Sequence, residues 1–309
     1  MKIATRAWLG FAALLAALCT VPPAGAQQST RTPASDSGVA ALRKAAVQGD
    51  AKAEFNLGLH YYRGQGVRQD HAQAAYWYAK AAAQGYAGAE KNLGLLYENG
   101  QGVPQDYAQA AAWWRKAAAQ GDVNAEFNMG ALYSNGRGAP RDYAQAAAWF
   151  REAAAQGDAH AELLLGLLYG NGQGVPQDYA QAAAWWRRAA AQGDGNAEYN
   201  LGLLYAHGQG VPQDFAQAAY WFMKAAAQGD ADAEYNLGVA YAGGQGVPQD
   251  YVEAYKWCIL AKASSAAASD AYKHASVGMS TLASRMTPAQ ISAAQAAAAR
   301  WRRTHPTKP

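Results

Sequence analysis

The sequence predicts an all-α protein built from tandem pairs of helices, and three observations lead to this prediction. Alanine supplies 78 of the 309 residues, whereas isoleucine and valine together supply only 15. Because β-branched residues cover the faces of sheets and alanine is the best helix former, this composition argues against an all-β or α/β fold. The other two observations are a 36-residue period and a capping pattern that recurs in every period.

Six tandem copies of one segment are visible as residues that recur at a spacing of 36 positions. Each copy contributes a glycine, a tyrosine and a tryptophan. They are Gly58, Gly94, Gly130, Gly166, Gly202 and Gly238; Tyr61, Tyr97, Tyr133, Tyr169, Tyr205 and Tyr241; and Trp77, Trp113, Trp149, Trp185, Trp221 and Trp257. Self-similarity at a fixed period is the signature of repeat architectures, so six repeats are predicted over residues 50–265.

Each repeat is predicted to contain two helices, which the second repeat illustrates. Its first helix is predicted over residues 87–99, because apolar side chains recur there on one helical face. The helix should end at Gly100, since glycine readily adopts the left-handed conformation of a C-cap. Gly94 lies inside this helix, where glycine costs about 1 kcal/mol relative to alanine. Its recurrence in all six repeats predicts that a neighbouring helix passes too close to leave room for a Cβ.

The second helix of the repeat is predicted to start at an aspartate. Asp106 with Gln109 three residues later predicts a capping box, in which each side chain bonds the other residue's backbone N–H. Trp113 and Trp114 are both expected in the buried stripe of this helix, and Asp122 is expected to cap the next repeat.

The N-terminus has the pattern of a secretory signal peptide over residues 1–26. Lys2 and Arg6 precede an apolar stretch that is too short to span a membrane, and a small-residue cleavage site ends at Ala26. Lipidation at Cys19 is the less favoured alternative, because the bulky Leu18 precedes that cysteine. We expect export to the periplasm and cleavage after Ala26, without a lipid anchor or a membrane span.

Cleavage would leave 24 basic against 23 acidic side chains and a single cysteine, Cys258. A nucleic-acid binder needs a clear basic excess, so nucleic acid is not an expected partner. One cysteine cannot form an intramolecular disulfide, and Cys258 occupies a position that is aromatic in the other repeats. It is therefore expected to be a small buried hydrophobic residue, the alternative being a thiol that pairs with a partner.

The ends of the array are expected to be caps. Residues 39–49 match only the end of a second helix and predict an N-terminal capping helix. Residues 266–303 predict a degenerate seventh repeat with a C-terminal capping helix, which begins with an N-cap at Thr287. The segments 27–38 and 304–309 are predicted to be a disordered linker and tail.

The motifs resemble a known family. Ala-Glu-x-Asn-Leu-Gly-x-x-Tyr (Ala89 to Tyr97), followed by Gly-x-Gly-Val and by Ala-x-x-Trp-Trp-x-x-Ala-Ala (Ala110 to Ala118), is similar to the Sel-one-like repeat of the tetratricopeptide-repeat clan. The resemblance covers about residues 39–303. It implies a right-handed superhelical α-solenoid, with a concave groove lined by the first helices. It also implies a non-enzymatic adaptor that binds a protein or peptide, and we expect it to be a monomer.

The sequence carries no recognisable catalytic or metal-binding motif. Its glycine-rich loops lack the Gly-Lys-Ser/Thr ending of a phosphate loop, and its histidines lack metal-ligand spacing. A glutamate recurs once per repeat, from Glu54 to Glu234, which indicates a structural role near a helix N-terminus. We expect no enzymatic activity, no cofactor and no metal. Binding of peptidoglycan or a β-lactam in the cell envelope is the alternative function, since a cysteine-rich branch of the family is described as penicillin-binding. A purely structural spacer is a third possibility.

The candidate binding residues lie on the first helices, where the resemblance implies the groove. They are Lys52, Phe55, Lys91, Asn92, Phe127, Asn128, His160, Tyr199, Asn200, Tyr235 and Asn236. The asparagines could bond the backbone of an extended peptide, or each could tie its own interhelix loop. The aromatic residues could supply binding energy, although some could pack between repeats.

A second candidate surface is a basic ridge on the second helices. Arg115, Arg151 and Arg187, extended by Lys116 and Arg188, are expected to point outwards. This ridge is either a solvated helix face or a site for an anionic envelope partner.

Overall fold

A computed structural model describes residues 33–267 and 269–305, with side chains from residue 38 onwards. This part of the chain contains fifteen α-helices and no strand, which confirms the all-α prediction. The helices are α1 (Pro33–Val47), α2 (Ala51–Arg63), α3 (His71–Ala83), α4 (Ala87–Asn99), α5 (Tyr107–Ala119), α6 (Val123–Asn135), α7 (Tyr143–Ala155), α8 (Ala159–Asn171), α9 (Tyr179–Ala191), α10 (Gly195–His207), α11 (Phe215–Ala227), α12 (Ala231–Gly243), α13 (Tyr251–Ser264), α14 (Asp270–Ala283) and α15 (Pro288–Thr304).

The described chain forms two compact units. The first contains residues up to 161 together with 173–175, and the second contains 162–172 and the residues from 176 onwards. In each unit, consecutive helices pack as hairpins around alanine, leucine and one large ring per repeat. The predicted signal peptide, including Cys19, and most of the predicted tail lie outside the described residues. No helix in the described part is long and apolar enough to cross a membrane.

Aspartates start the helices as predicted, but the predicted capping box forms only by half. Asp106 Oδ1 accepts hydrogen bonds from the backbone N–H groups of Ala108 and Gln109, at 2.9 and 3.0 Å. The predicted reciprocal bond, in which the Gln109 side chain would accept from the Asp106 N–H, does not form. That N–H donates to the carbonyl of Tyr97 at 2.9 Å instead. At α15 the predicted N-cap at Thr287 is confirmed, and it forms a complete capping box with Gln290.

The glycine inside the first helix makes room for a ring in the first five repeats. A Cβ on Gly94 would lie 2.4 Å from Nε1 of Trp114, which is 1% exposed and donates to the Lys91 carbonyl at 3.2 Å. The predicted close approach is therefore confirmed, and a side chain of α5 makes it. Trp113 is only half-buried, so Trp114 alone provides the buried ring of this stripe.

A second glycine joins each interhelix loop to the preceding repeat. Gly102 has φ of 71°, and a Cβ there would lie 2.2 Å from the carbonyl carbon of His71 at the start of α3. The loop itself is fastened by Gln105, whose Nε2 donates to the Glu98 carbonyl at 2.7 Å. This glutamine bond was not predicted from the sequence, although the glutamine recurs in five repeats.

The two ends of the helical array depart from the repeat. Helix α1 begins at Pro33, within the segment 27–38 that was predicted as a linker. At the other end α15 packs on α13, where the Trp301 ring meets the Trp257 ring edge-on at 4.9 Å. Val277 keeps the sequence offset of a core leucine but is 66% exposed. The final pair therefore does not repeat the core packing of the six preceding hairpins at this position.

Cys258 occupies the position of the large buried ring in the sixth repeat. It is 2% exposed, and burial raises the pKa of its thiol to about 11. Its sulfur would lie 3.0 Å from a Cβ on Gly238 and 3.2 Å from one on Gly278. The expectation of a small buried hydrophobic residue is confirmed, and this burial argues against the alternative of a thiol that pairs with a partner.

Candidate functional site

A row of asparagines runs along the first helices, one per repeat except in the fourth. In the first compact unit the row consists of Asn56, Asn92 and Asn128; in the second it consists of Asn200 and Asn236. All five side chains are half-buried. Asn92 lies beside the buried Tyr78 hydroxyl, whose pKa is raised by burial. The interhelix loops are fastened by glutamines such as Gln105, which supply the loop bonds that the asparagines were the alternative candidates for.

The predicted aromatic residues beside this row belong partly to the core. Phe127 is 9% exposed and packs on Phe150 with ring centroids 5.7 Å apart, so little of its surface is available to a partner. Phe55, Tyr199 and Tyr235 are half-buried. Their rings lie on a further ring in each case: Tyr86 at 4.9 Å, Phe222 at 5.9 Å and His274 at 5.6 Å, respectively.

The predicted charged residues of the groove differ in their surroundings. Lys52 is exposed, whereas the Lys91 ammonium lies 3.7 Å from the Asp122 carboxylate of the next repeat. His160 is exposed, with its ring 6.4 Å from that of Phe127. These residues place mixed positive and neutral groups beside the asparagine row.

A recess of about 570 Å³ lies between α1 and α2, at the N-terminal end of the asparagine row. Its apolar lining includes Val39, Leu42 and Leu59, and its polar lining includes Asn56 and Arg63. The recess therefore offers an apolar surface next to a free amide and a cationic group. The sequence alone did not predict it, since α1 contributes one wall.

The recurring glutamates are buried at the start of the first helices and are held by glutamines. Glu90 is 3% exposed, and its Oε2 accepts a hydrogen bond from Gln120 at 2.8 Å. The same bond recurs in four other repeats: Gln84 to Glu54, Gln156 to Glu126, Gln192 to Glu162 and Gln228 to Glu198. We call this pair the glutamate clasp. It joins the two ends of one hairpin, which supports the predicted structural role and identifies the partner that sequence reasoning missed.

Basic residues of the outer ridge complete some of these clasps. Arg188 Nε lies 2.7 Å from Glu162 Oε1, and Lys224 Nζ lies 2.9 Å from Glu198 Oε1. Arg115, Arg151 and Arg187 are exposed as predicted. The ridge therefore has internal partners at several positions and is not a continuous free surface.

The sixth repeat lacks both partners of the clasp. Ser264 stands where the other repeats have glutamine, and Glu234 Oε2 is buried without a hydrogen-bond partner in the described part of the chain. Burial raises the pKa of the Glu234 carboxyl from 4.5 to about 7. The Ser264 hydroxyl and Arg302 oppose this shift, and Asp230 adds to it.

We expect the free energy of unfolding to fall as the pH rises from 4.5 to about 7. In this window the folded chain keeps the Glu234 proton while the unfolded chain releases it, so rising pH favours unfolding. The contribution is up to about 3 kcal/mol. Urea unfolding at about pH 5 and about pH 8 measures it, with Glu234→Gln as the reference that cannot ionise. Glu90 and Glu126, whose pKa values are also raised by burial, are common to both proteins. An identical pH dependence of the wild type and the Glu234→Gln variant would contradict the assignment.

Tandem helix hairpins with one shared packing scheme define a helical-repeat scaffold, a class whose members generally bind other proteins and are not catalytic. The Sel1 repeat family matches residues 51–86, 87–122, 123–158, 159–194, 195–230 and 231–264. The chain belongs to this family, which confirms the resemblance stated from the motifs.

Solved structures of bacterial repeat proteins are similar to this chain. A Sel1 repeat protein from Oxalobacter formigenes is 35% identical over 74% of this chain and 99% of its own, with a TM-score of 0.59. A protective antigen of uropathogenic Escherichia coli with an SLR fold is 26% identical over 86% and 79%, with a TM-score of 0.46. A Sel1 repeat protein from Klebsiella pneumoniae is 26% identical over 68% and 99%, with a TM-score of 0.40. No curated protein matches the chain significantly.

Proposed function

We propose that this protein is a periplasmic adaptor that binds an extended segment of a partner protein along the asparagine row of either compact unit. The observation that carries the proposal is the row itself. Asn56, Asn128, Asn200 and Asn236 make no side-chain hydrogen bond to another described residue. Half-burial restricts these amides to few orientations and leaves each with a free donor and a free acceptor.

An extended peptide matches this chemistry because its backbone offers one N–H and one C=O per residue. An amide side chain can bond both groups without regard to the peptide's sequence. Selectivity would then come from the neighbouring variable positions, such as the half-buried rings of Phe55, Tyr199 and Tyr235 and the recess at Leu42.

The proposed location rests on residues 1–26. Their basic start, short apolar stretch and small-residue end are those of a cleavable export signal. Export would place the adaptor among envelope proteins, as a soluble monomer without a lipid anchor.

Peptide selection on the purified protein tests the binding site. Peptides enriched by phage display should bind the wild type, and their affinity should fall about tenfold or more in the Asn56→Ala/Asn92→Ala/Asn128→Ala variant. The matched control, Gln109→Ala/Gln145→Ala/Gln181→Ala, removes three exposed amides from the second helices and should leave the affinity unchanged. Calorimetric titration provides the dissociation constants.

Equal losses in the two triple variants would count against the asparagine row. Pelleting with purified peptidoglycan, or labelling by a fluorescent β-lactam, would instead favour the cell-wall alternative. For the location, fractionation of cells that express the full chain should recover a periplasmic form shortened by the first 26 residues, and an uncleaved cytoplasmic form would contradict it.

A further inference from the structure

The tryptophan that marks each repeat carries a cation on its ring. The cation comes from the residue three positions later in four repeats: Lys80 over Trp77 at 5.8 Å, Lys116 over Trp113 at 4.0 Å, Arg188 over Trp185 at 4.8 Å and Lys224 over Trp221 at 5.0 Å. In the sixth repeat Lys256 lies 4.2 Å from the centre of the Trp257 ring. We call this position on the tryptophan ring the seat. The residue three positions later fills it in four repeats, and in the sixth repeat the preceding residue supplies the cation.

In two repeats the cation in this seat also contacts the buried glutamate of the same repeat. Arg188 shows both contacts at once, because it lies over the Trp185 ring while its Nε is 2.7 Å from Glu162. Lys224 makes the corresponding pair with Trp221 and Glu198. One cationic side chain thus contacts both the ring and the carboxylate.

The third repeat has the tryptophan of this seat but no cation three positions later. Its tryptophan is Trp149, and the residue three positions later is Glu152, an acid. Within the described ranges the half-buried Trp149 ring has neither an aromatic nor a cationic partner, and Glu152 is exposed without an ion-pair partner.

The buried glutamate of this repeat, Glu126, has no cationic partner among the described residues. Glu126 is 6% exposed, and Gln156 occupies its Oε2 at 2.8 Å. Its Oε1 has no bonding partner among the residues that the structure covers. The pKa of Glu126 is raised by burial and further by the carboxylates of Glu152 and Asp122. In the second repeat, by contrast, Lys116 lowers the pKa of Glu90.

We propose that the third repeat binds a lysine or arginine side chain of a partner protein, which lies on the Trp149 ring between the carboxylates of Glu126 and Glu152. A cation is the expected ligand because three features converge: an indole ring without a cationic partner, a buried carboxylate with one free oxygen, and an acid where four other repeats carry a base. The other repeats show that one cationic side chain fits such a seat without rearrangement. The site lies on the hairpin of α6 and α7 and uses none of the asparagines of the row.

Nuclear magnetic resonance of the tryptophan indole N–H groups tests this assignment. The probe is the peptide acetyl-Gly-Gly-Arg-Gly-Gly-amide, and the neutral control replaces its arginine by citrulline. The Trp149 signal, identified with a Trp149→Phe variant, should shift saturably with the arginine peptide and not with the citrulline peptide. The Trp185 and Trp221 signals serve as internal references and should stay in place, since their seats are filled.

Two charge variants make the test reciprocal. Glu152→Lys restores the residue found in the first, second and fifth repeats and should abolish the Trp149 shift. Arg188→Glu empties the fourth seat and should make the Trp185 signal respond to the arginine peptide. If Arg188→Glu does not fold, Glu152→Lys alone decides the question, because it adds a partner instead of removing one.

Three results would overturn the proposal. The first is a Trp149 shift no larger than those of Trp185 and Trp221. The second is a shift that survives Glu152→Lys. The third is an equal response to putrescine, which would assign the seat to a free diamine. The asparagine-row variant changes none of Trp149, Glu126 and Glu152, and the two tests use different peptides and readouts, so failure of the adaptor proposal and failure of this one are distinguishable.

Discussion

Replacing Gly102 by alanine should destabilise the protein by about 4 kcal/mol, the combined effect of a left-handed backbone and an overpacked contact. Its φ of 71° disfavours any side chain, and the new Cβ would lie 2.2 Å from the His71 carbonyl carbon. Backbone atoms at the start of α3 cannot rotate away as a side chain can. The loop would have to lift from the preceding repeat, which the midpoint of urea unfolding will report.

Gly121→Ala is the matched control for this substitution. Gly121 has a similar φ of 82°, but nothing lies within 4 Å of a Cβ built there. Only the conformational cost applies, so we expect a loss of about 1 kcal/mol. Equal losses for the two alanines would show that the contact between loop and helix contributes nothing.

Trp114→Ala should destabilise the protein by about 3–5 kcal/mol, the usual cost of deleting a large buried ring. The ring is 1% exposed, lies on Gly94 and packs among alanines that cannot expand to fill the cavity. Denaturant unfolding measures the loss. Trp113→Ala is the comparison, and it should cost less because that ring is half-buried.

A double-mutant cycle isolates the contact between Trp114 and Gly94. In the wild type, Gly94→Ala should cost about 2 kcal/mol, because the Cβ would lie 2.4 Å from the indole nitrogen. In the Trp114→Ala background the same change should stabilise the helix by about 1 kcal/mol, since the obstacle is gone and alanine is the better helix former. Additive effects would mean that the ring is not what requires glycine.

Local signals made most of the fold predictable. The predicted helix over residues 87–99 is α4 as observed, because an apolar face and the glycine at position 100 define it within one stretch of chain. The close approach at Gly94 was also predictable, since the cost of a mid-helix glycine requires a compensating contact. The incomplete capping box at Asp106 was not predictable, because the Asp106 N–H donates to the carbonyl of Tyr97, which lies on the other helix of the hairpin.

The candidate site was less predictable, because its determinants are long-range. The glutamate clasp joins residues 30 positions apart, and Gln120 by itself looks like a helix-ending residue. The sixth repeat contains a signal for this glutamate–glutamine pair, because Ser264 replaces the glutamine and Leu260 replaces the cation in the same repeat. The burial of Phe127 depends on its contact with Phe150, which spacing on α6 alone cannot show.

The setting of Cys258 makes thiol chemistry a reporter of folding. A thiol that is 2% exposed and has a pKa of about 11 offers almost no thiolate to an oxidant or an alkylating reagent. Modification would therefore proceed through transient opening of the sixth repeat, and its rate under native conditions would measure how often that end of the array opens. Before the sixth repeat folds, the same sulfur is unprotected, so prompt folding is what keeps one copy from becoming covalently linked to another.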